Sequence, residues 1–317
     1  MDISPGVIRL PMDTVEGKAS SVSVPPMEDL AEVKKPTSLL VAQFFLFPLI
    51  IITICVGIFL LFGYLTYEQT SPREYLNDIR TGSDTRRWQA AFELSKIIST
   101  DKNRLRDTTF VHDVIALYRS SRSDSHLPGA DVRGDPRVRR YLALSLGHLG
   151  DPRAVPALVD GLNDTDVESQ IYALWSLGAI GDRSAVPGVL NRLNNDDPAV
   201  RKMAAYVLGA LKDPSAVHAL QVALNDATED VRWNAAMSLA QLSDASGADV
   251  LVRLLDRGYL TQFSEMNDLQ KNEIIVNAVK CLAIIKHEAA RDTIISLSKN
   301  DPDLAVRDAS IEALKSF

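Results

Sequence analysis

The first marked pattern along the chain is a long run of residues without charge. From Ser38 to Tyr67 the sequence has no Asp, Glu, Lys or Arg, and most of these residues are aliphatic or aromatic. A bilayer core of roughly 30 Å needs about 20 apolar residues in a helix. We therefore predict one transmembrane helix within residues 38–67, with the buried core helix of a soluble protein as the alternative. Pro48 predicts a kink in this helix.

The segment before this run has the composition of a disordered tail. Residues 1–37 are rich in Pro and Ser and cannot bury a core of their own. A cleaved signal peptide is disfavoured, because the apolar run is long, starts late and lacks a small-residue cleavage site. Lys34 and Lys35 lie closer to the run than Arg73 and Arg80 do. Since positive residues near a span stay inside, we predict a single-pass anchor with the tail inside and the remaining domain outside.

The rest of the chain repeats itself with a period of 31 residues. Asp151, Asp182, Asp213 and Asp244 are 31 residues apart, and the first three are followed by similar segments that contain an Ala-Val pair. Each unit holds two segments with apolar residues at helical spacing, a short helix A and a longer helix B. The Asp-Pro pairs before several of these segments are typical of helix starts. The pattern predicts a stack of helix pairs.

One position of helix B, called the marker position here, counts the units. It is usually Arg, and Leu follows seven residues later. The marker position falls at Arg87, Arg139, Gln170, Arg201, Arg232, Ile275 and Arg307. The steps are 31 or 32 residues except for one of 52 and one of 43, which places insertions in the second and sixth units. We predict an all-α fold, an α-solenoid of about seven helix pairs over residues 71–317 that follows a single transmembrane helix and begins at Ser71.

The repeated segments resemble the HEAT-repeat family, and within it the short bacterial repeats described as phycobilisome-lyase-like (E-Z type). The similarity rests on Gly-Asp-Pro-Arg-Ala-Val-Pro-Ala-Leu at 150–158 with its copies, and on the Asp-x-x-Val-Arg-like segments at 135–143 and 197–205. It extends over roughly residues 71–317. The resemblance implies a right-handed superhelix with the B helices on its concave side, a scaffold role, and a bacterial inner membrane as the location of the anchor.

Several charged residues and glycines of helix B are interpreted as structural. Asp135, Asp197 and Asp303 each precede an Arg at the marker position by four residues. We expect helix caps and salt bridges between repeats from these residues rather than catalytic groups. Gly178 and Gly209 are expected at helix C-termini.

A candidate binding surface runs along the B helices. Positions two and five residues after the marker position point away from the Ala and Leu residues that face the core. Exposed apolar side chains at such positions usually mark protein contacts, although packing against the next B helix is an equally good alternative. The candidate partner-binding residues on this surface are Tyr141, Tyr172, Trp175, Met203, Tyr206 and Met237.

The two insertions form a second candidate surface. Both fall between helix A and helix B, at 120–134 and 258–267. Insertions at equivalent places emerge on the same rim of a solenoid, which is often the binding rim. Tyr259 and Phe263 make the second insertion unusually apolar for a loop, and they complete the set of candidate partner-binding residues. An idle surface loop is the alternative.

Composition and charge exclude several functional classes. A net charge of −7 argues against a nucleic-acid binder, and 2 Cys cannot form a disulfide scaffold. The 5 His are scattered without a metal-ligand spacing. HEAT-like deoxyhypusine hydroxylases hold iron with several His-Glu pairs, of which only His287-Glu288 is present here. We expect no catalytic residues, no metal site and no cofactor, and we place Cys281 in the core.

These patterns favour a membrane-anchored scaffold or adaptor over an enzyme. The apolar run ends a few residues before the first repeat, so the array would lie near the membrane surface. There it would contact a membrane-associated protein partner, such as another subunit of a membrane complex. The alternative is a membrane-tethered accessory enzyme such as a chromophore or cofactor lyase, which predicts a deep polar pocket rather than an open apolar groove.

Overall fold

The computed structural model describes residues 42–66, 71–100, 107–122 and 134–317. The predicted disordered tail at 1–37 and most of the first insertion lie outside these residues. The chain divides into two compact units, Met1–Glu68 and Gln69–Phe317.

One apolar helix forms the described part of the first unit. A π-helical turn at Ala42–Leu46 continues into α1 (Phe47–Thr66). Pro48 is the second residue of α1, next to the change from π-helix to α-helix. The kink at Pro48 stays a prediction. The 19 residues Phe44–Phe62 have a mean hydropathy of 2.9, and none of this span is buried. By length and composition the helix could cross a membrane.

Seven helix pairs make up the described part of the second unit of the chain, and each pair is called a repeat here. Repeat 1 is α2 (Pro72–Thr81) and α3 (Asp84–Thr100), repeat 2 is α4 (Thr108–Ser120) and α5 (Pro136–Leu149), and repeat 3 is α6 (Val155–Gly161) and α7 (Val167–Ile180). Repeat 4 is α8 (Val186–Leu190) and α9 (Pro198–Leu211), and repeat 5 is α10 (Val217–Ala223) and α11 (Glu229–Gln241). Repeat 6 is α12 (Ala248–Leu254), the short α13 (Arg257–Leu260) and α14 (Asp268–Ile284), and repeat 7 is α15 (Arg291–Asn300) and α16 (Leu304–Ala313). The prediction of an all-α solenoid is confirmed, and no strand occurs in the ranges just given.

Side-chain caps set the starts of the helices, as the sequence predicts. Ser71 Oγ accepts the N–H of Glu74 at 3.3 Å and begins the first repeat. Asp135, Asp197 and Asp303 cap α5, α9 and α16, with carboxylate-to-nitrogen distances of 2.9, 2.8 and 3.1 Å. These bonds satisfy N–H groups that have no partner within the helix.

The leucines seven residues after the marker position are completely buried in repeats 1 to 6. They are Leu94, Leu146, Leu177, Leu208, Leu239 and Leu282. Each repeat is too thin to enclose such a residue alone, so stacking of neighbouring repeats provides the burial. The core forms two clusters that meet at α11, where Leu239 belongs to the first cluster and Ala236 to the second.

The prediction that Gly178 and Gly209 end their helices is wrong. Helix α7 continues to Ile180 and α9 continues to Leu211. The residue after α7 is Gly181, whose φ of 75° lies in the left-handed region that glycine adopts without strain.

Gly178 and Gly209 instead allow close approach of successive B helices. A Cβ atom on Gly209 would lie 2.8 Å from the Cα atom of Ser238 in α11. A Cβ atom on Gly178 would lie 3.2 Å from Val207 Cγ2 in α9. The absence of a side chain at these positions therefore serves packing between repeats.

Candidate protein-interaction surface

A row of apolar side chains lies on the B helices of repeats 1 to 5, two and five residues after the marker position. We call it the B-face stripe. Its members are Phe92, Tyr141, Leu144, Tyr172, Trp175, Met203, Tyr206 and Met237.

The stripe is partly packed and partly open. Tyr141, Tyr172 and Met203 are half-buried against the first core cluster. Phe92 and Tyr206 remain 40% and 47% exposed. The two alternatives for these positions, packing between repeats and binding of a partner, therefore each have a physical basis. The half-buried residues join repeats, and the exposed ones form an apolar surface that could contact a partner. Partner binding by these residues stays a prediction.

Two aromatic contacts lie along the stripe. The rings of Phe92 and Tyr141 meet edge to face with centroids 5.2 Å apart, and His148 meets Trp175 in the same way at 5.2 Å. The sequence analysis did not single out Phe92 or His148. Phe92 lies five residues after Arg87 and follows the same spacing rule, whereas His148 lies nine residues after Arg139, where no rule was applied.

The second insertion is packed rather than loose. Its residues Tyr259 and Phe263 surround Trp233 of α11, with a Trp233–Phe263 centroid distance of 4.9 Å and a Tyr259–Phe263 distance of 5.4 Å. The Tyr259 hydroxyl donates to Glu229 Oε2 at 2.6 Å. Burial and then the Glu229 carboxylate raise the pKa of Tyr259. These two side chains have a structural role, and their contact with a partner stays a prediction.

Two arginines at the marker position, Arg139 and Arg201, form the predicted ion pairs between repeats, whereas Arg232 pairs with Glu229 of its own helix. The Arg139 guanidinium lies 2.8 Å from the Asp164 carboxylate of the next repeat, and both side chains are only 8% exposed. Arg201 makes the equivalent pair with Asp226 at 2.8 Å. The hydrogen bond from Arg201 outweighs burial and lowers the pKa of Asp226.

Gln170 and Asn195 replace this ion pair between repeats 3 and 4. Asn195 Nδ2 donates to Gln170 Oε1 at 3.1 Å. Gln170 Nε2 also donates to the Asp164 carbonyl within its own repeat at 2.6 Å, as Arg201 Nη1 does to the Asn195 carbonyl at 2.9 Å. The substitution therefore keeps the local bond and removes both charges.

Repeat 6 obtains its cation from the short helix α13 rather than from helix B. Ile275 occupies the marker position there and cannot form an ion pair. Arg257 of α13 takes over this role and binds Asp301 of repeat 7 through two bonds of 2.6 and 2.8 Å. The Asp301 side chain is 1% exposed. Burial raises the pKa of Asp301, but the bonds from Arg257 and the Asp303 N–H outweigh it and lower the pKa.

Further ion pairs lie beside the stripe, at the starts of the B helices. Arg140 binds Asp166 at 2.8 Å and also pairs with Glu168. Burial raises the pKa of Asp166, but the bonds from Arg140 and Ser169 outweigh it and hold the pKa at about 2. The carboxylate is therefore ionised at neutral pH, so this edge of the stripe carries paired charges.

The described residues show no group of three or more His, Cys, Asp or Glu placed to hold a metal ion. Cys281 is buried as expected, and its thiol lies 3.8 Å from the Met237 carbonyl. Burial raises the pKa of Cys281 to about 11, so the sulfur is a protonated thiol at neutral pH.

Stacked helix pairs, cross-repeat ion pairs and an apolar B face define an α-solenoid repeat protein. A family model for HEAT repeats matches residues 127–197 and 186–260. This part of the chain is therefore similar to HEAT repeats.

Solved structures show the same fold. The complex of CpcE and CpcF of phycocyanin lyase from Nostoc sp. PCC7120 contains a similar chain, with a TM-score of 0.53 and 22% identity over 78% of this chain and 88% of that one. An engineered protein gives a TM-score of 0.48 and 20% identity over 77% and 67% of the two chains. A designed armadillo repeat protein gives 0.41 and 14% over 78% and 99%. At these identities the similarity concerns the fold alone. A comparison with curated proteins finds no match.

Proposed function

We propose that the protein is a membrane-anchored adaptor that holds a protein partner on the B-face stripe. The observation that carries the proposal is the stripe itself, in which Phe92 and Tyr206 are large apolar side chains with 40% and 47% of their surface exposed. Aromatic and Met side chains are the favoured anchors of protein interfaces. The HEAT-repeat fold is consistent with this role, since solenoids offer extended surfaces to partners.

The proposed anchor is α1 within the apolar run at 38–67. Support comes from the 19-residue span of mean hydropathy 2.9, none of which is buried by protein. A soluble protein would have to cover such a surface, whereas lipid accommodates it. We propose a single-pass protein of a bacterial inner membrane, with the tail inside and the repeats outside.

The proposed partner is itself membrane-associated, such as a subunit of a membrane complex. Confinement of both proteins to one membrane raises their effective concentration, so a stripe of modest area suffices for binding. The proposal assigns the chain no catalytic step and no cofactor.

Crosslinking in native membranes tests the proposal. The variant Phe92→Ala/Tyr206→Ala removes the two exposed aromatic side chains of the stripe and should lose the crosslinked partner, since interface aromatics often dominate binding. The matched control is Val222→Ala on helix A of repeat 5, where the side chain is 62% exposed and outside the stripe. This variant should keep the partner.

Circular dichroism and alkaline extraction of membranes should give the same result for both variants and the parent protein. Identical crosslinked proteins in both variants would contradict binding at the stripe. Release of the parent chain by alkaline extraction would contradict the anchor.

A further inference from the structure

The contact between B helices of neighbouring repeats is called a joint here. The joints between repeats 2 and 3 and between repeats 4 and 5 each have two polar links. One is the ion pair at the marker position, Arg139–Asp164 or Arg201–Asp226. The other is a serine hydroxyl that donates to a carbonyl of the preceding B helix. Ser176 binds the Ala143 carbonyl at 2.7 Å, and Ser238 binds the Ala205 carbonyl at 2.8 Å.

The joint between repeats 3 and 4 lacks both links. Gln170 and Asn195 form a neutral amide bond of 3.1 Å where the two neighbouring joints have an ion pair. Val207 occupies the serine position and can donate no hydrogen bond to the preceding helix. Among neighbouring B helices of repeats 1 to 5, α7 and α9 pack least closely. Because bonds between charged groups are stronger than neutral ones, this joint is held less firmly on the B side than the two joints on either side of it.

The A side of the same joint is held firmly. Arg192 Nη1 donates to the Leu162 carbonyl of repeat 3 at 3.0 Å. Gly188 of α8 lies so close to α6 that a Cβ atom would be 2.8 Å from Val159 Cγ1. A tight A side and a weak B side give the joint a defined direction of opening.

The joint between repeats 5 and 6 also lacks an ion pair at the marker position, but aromatic side chains pack across it. Trp233 of α11 packs against Tyr259 and Phe263 of the insertion, and Tyr259 is hydrogen-bonded to Glu229. Aromatic packing and this bond together span the gap. The described residues place no comparable cluster between repeats 3 and 4.

We infer that the array has a built-in hinge between repeats 3 and 4, which pivots on the A side and opens on the B side. Trp175 of α7 and Tyr206 of α9 lie on either side of it. Opening widens the gap between these two members of the B-face stripe. The hinge is a property of the chain alone and does not depend on the proposed partner, so its test needs none.

Hydrogen exchange of the full chain in detergent micelles measures the opening. The variant Gln170→Arg/Asn195→Asp installs the ion pair of the neighbouring joints, and exchange at the facing sides of α7 and α9 should slow by roughly a factor of ten. The reciprocal variant Arg201→Gln/Asp226→Asn should speed exchange in α9 and α11 instead. Exchange that is already equal at the two joints of the parent protein would overturn the hinge.

Distances between spin labels separate a hinge from local unfolding. Labels at Ala116 in α4 and Val222 in α10, both exposed, span the joint once Cys55 and Cys281 are replaced by Ser. The distance distribution should narrow in Gln170→Arg/Asn195→Asp and broaden in the reciprocal variant. An unchanged width in both would overturn the inference. If the first variant does not fold, Val207→Thr provides the second test, since it exchanges one methyl group for the missing hydroxyl at nearly constant volume and should also narrow the distribution.

Discussion

The joints of the regular repeats and the joint between repeats 6 and 7 solve one problem in different ways. In repeats 2 and 4 the cation that meets the next repeat is part of helix B itself, as Arg139 or Arg201. In repeat 6 helix B carries Ile275, and the cation is Arg257 of α13, eighteen residues earlier in the sequence. The buried carboxylate in the following repeat is present in all three cases.

The difference shows which feature of the joint the fold requires. The carboxylates of Asp164, Asp226 and Asp301 each also accept the N–H two residues later, at 2.9, 2.8 and 2.9 Å. These carboxylates stabilise the turn that leads into helix B, so they must occupy a fixed position in the sequence. A cation must neutralise them, because an unpaired buried charge is costly, but it can come from any element within reach.

Removal of Arg257 should give the largest effect. Arg257→Ala leaves the Asp301 carboxylate buried without its cation and should lower the free energy of unfolding by about 3 kcal/mol. Chemical denaturation of the full chain in micelles measures this loss. The control Arg153→Ala breaks an exposed pair with Asp151 and should cost less than about 0.5 kcal/mol. If both variants lower the free energy of unfolding equally, Arg257 does not take over the role of the arginine at the marker position.

A side chain at the close contact of a regular joint should have the next largest effect. Gly209→Ala places a Cβ atom 2.8 Å from the Cα atom of Ser238, which backbone atoms cannot avoid without a shift of α11. Overpacking of this kind costs about 2 kcal/mol. Thermal unfolding measures it, with the exposed Ala179→Ser as the matched B-helix control. A Gly209→Ala protein as stable as the control would contradict the tight joint.

Acid should weaken the regular repeats by a smaller amount. The pKa of Asp166 is about 2 in the folded protein and near 3.8 without its partners. A carboxyl group with a lowered pKa stabilises the fold above the unfolded pKa and loses this contribution as pH falls through the folded pKa. Between pH 5 and pH 2 the parent protein should lose about 1 kcal/mol more than Asp166→Asn, allowing for solvent screening.

Denaturation curves at several pH values check this difference. Asn is also a good helix cap, so the variant keeps the start of α7 and removes only the charge. If the free energy of unfolding falls equally with pH in the two proteins, the Arg140–Asp166 pair does not contribute to the stability of the fold.

Much of the fold follows from short-range sequence patterns. The period of 31, the marker position and the Asp caps predict seven helix pairs, because each pattern reports a local requirement of helix start or burial. Gly178 and Gly209 were misassigned because glycine near a helix end suits either a cap or a close contact, and only the position of the next helix decides.

The interaction surface is less predictable than the fold. The spacing rule places the stripe on helix B, and Tyr206 is indeed exposed. The fraction of the Tyr172 and Met203 side chains that is buried depends on the distance between repeats, which the spacing rule does not contain. Tyr259 and Phe263 lie in an insertion that interrupts the period, so no register relates them to Trp233. Arg257 does not occupy the marker position, so the spacing rule could not predict its role.

The two serine links alternate along the array rather than recurring in every repeat. Ser176 and Ser238 are two periods apart in the sequence. The helices whose carbonyls they bind carry Arg139 and Arg201, and these two arginines are also two periods apart. The smallest interchangeable block of this solenoid is therefore a pair of repeats. Excision of residues 151–212 would bring Arg139 to Asp226 and recreate a native interface. Excision of residues 182–212 alone would set the uncharged Gln170 against Asp226, so chains of this type can change length by two repeats more readily than by one.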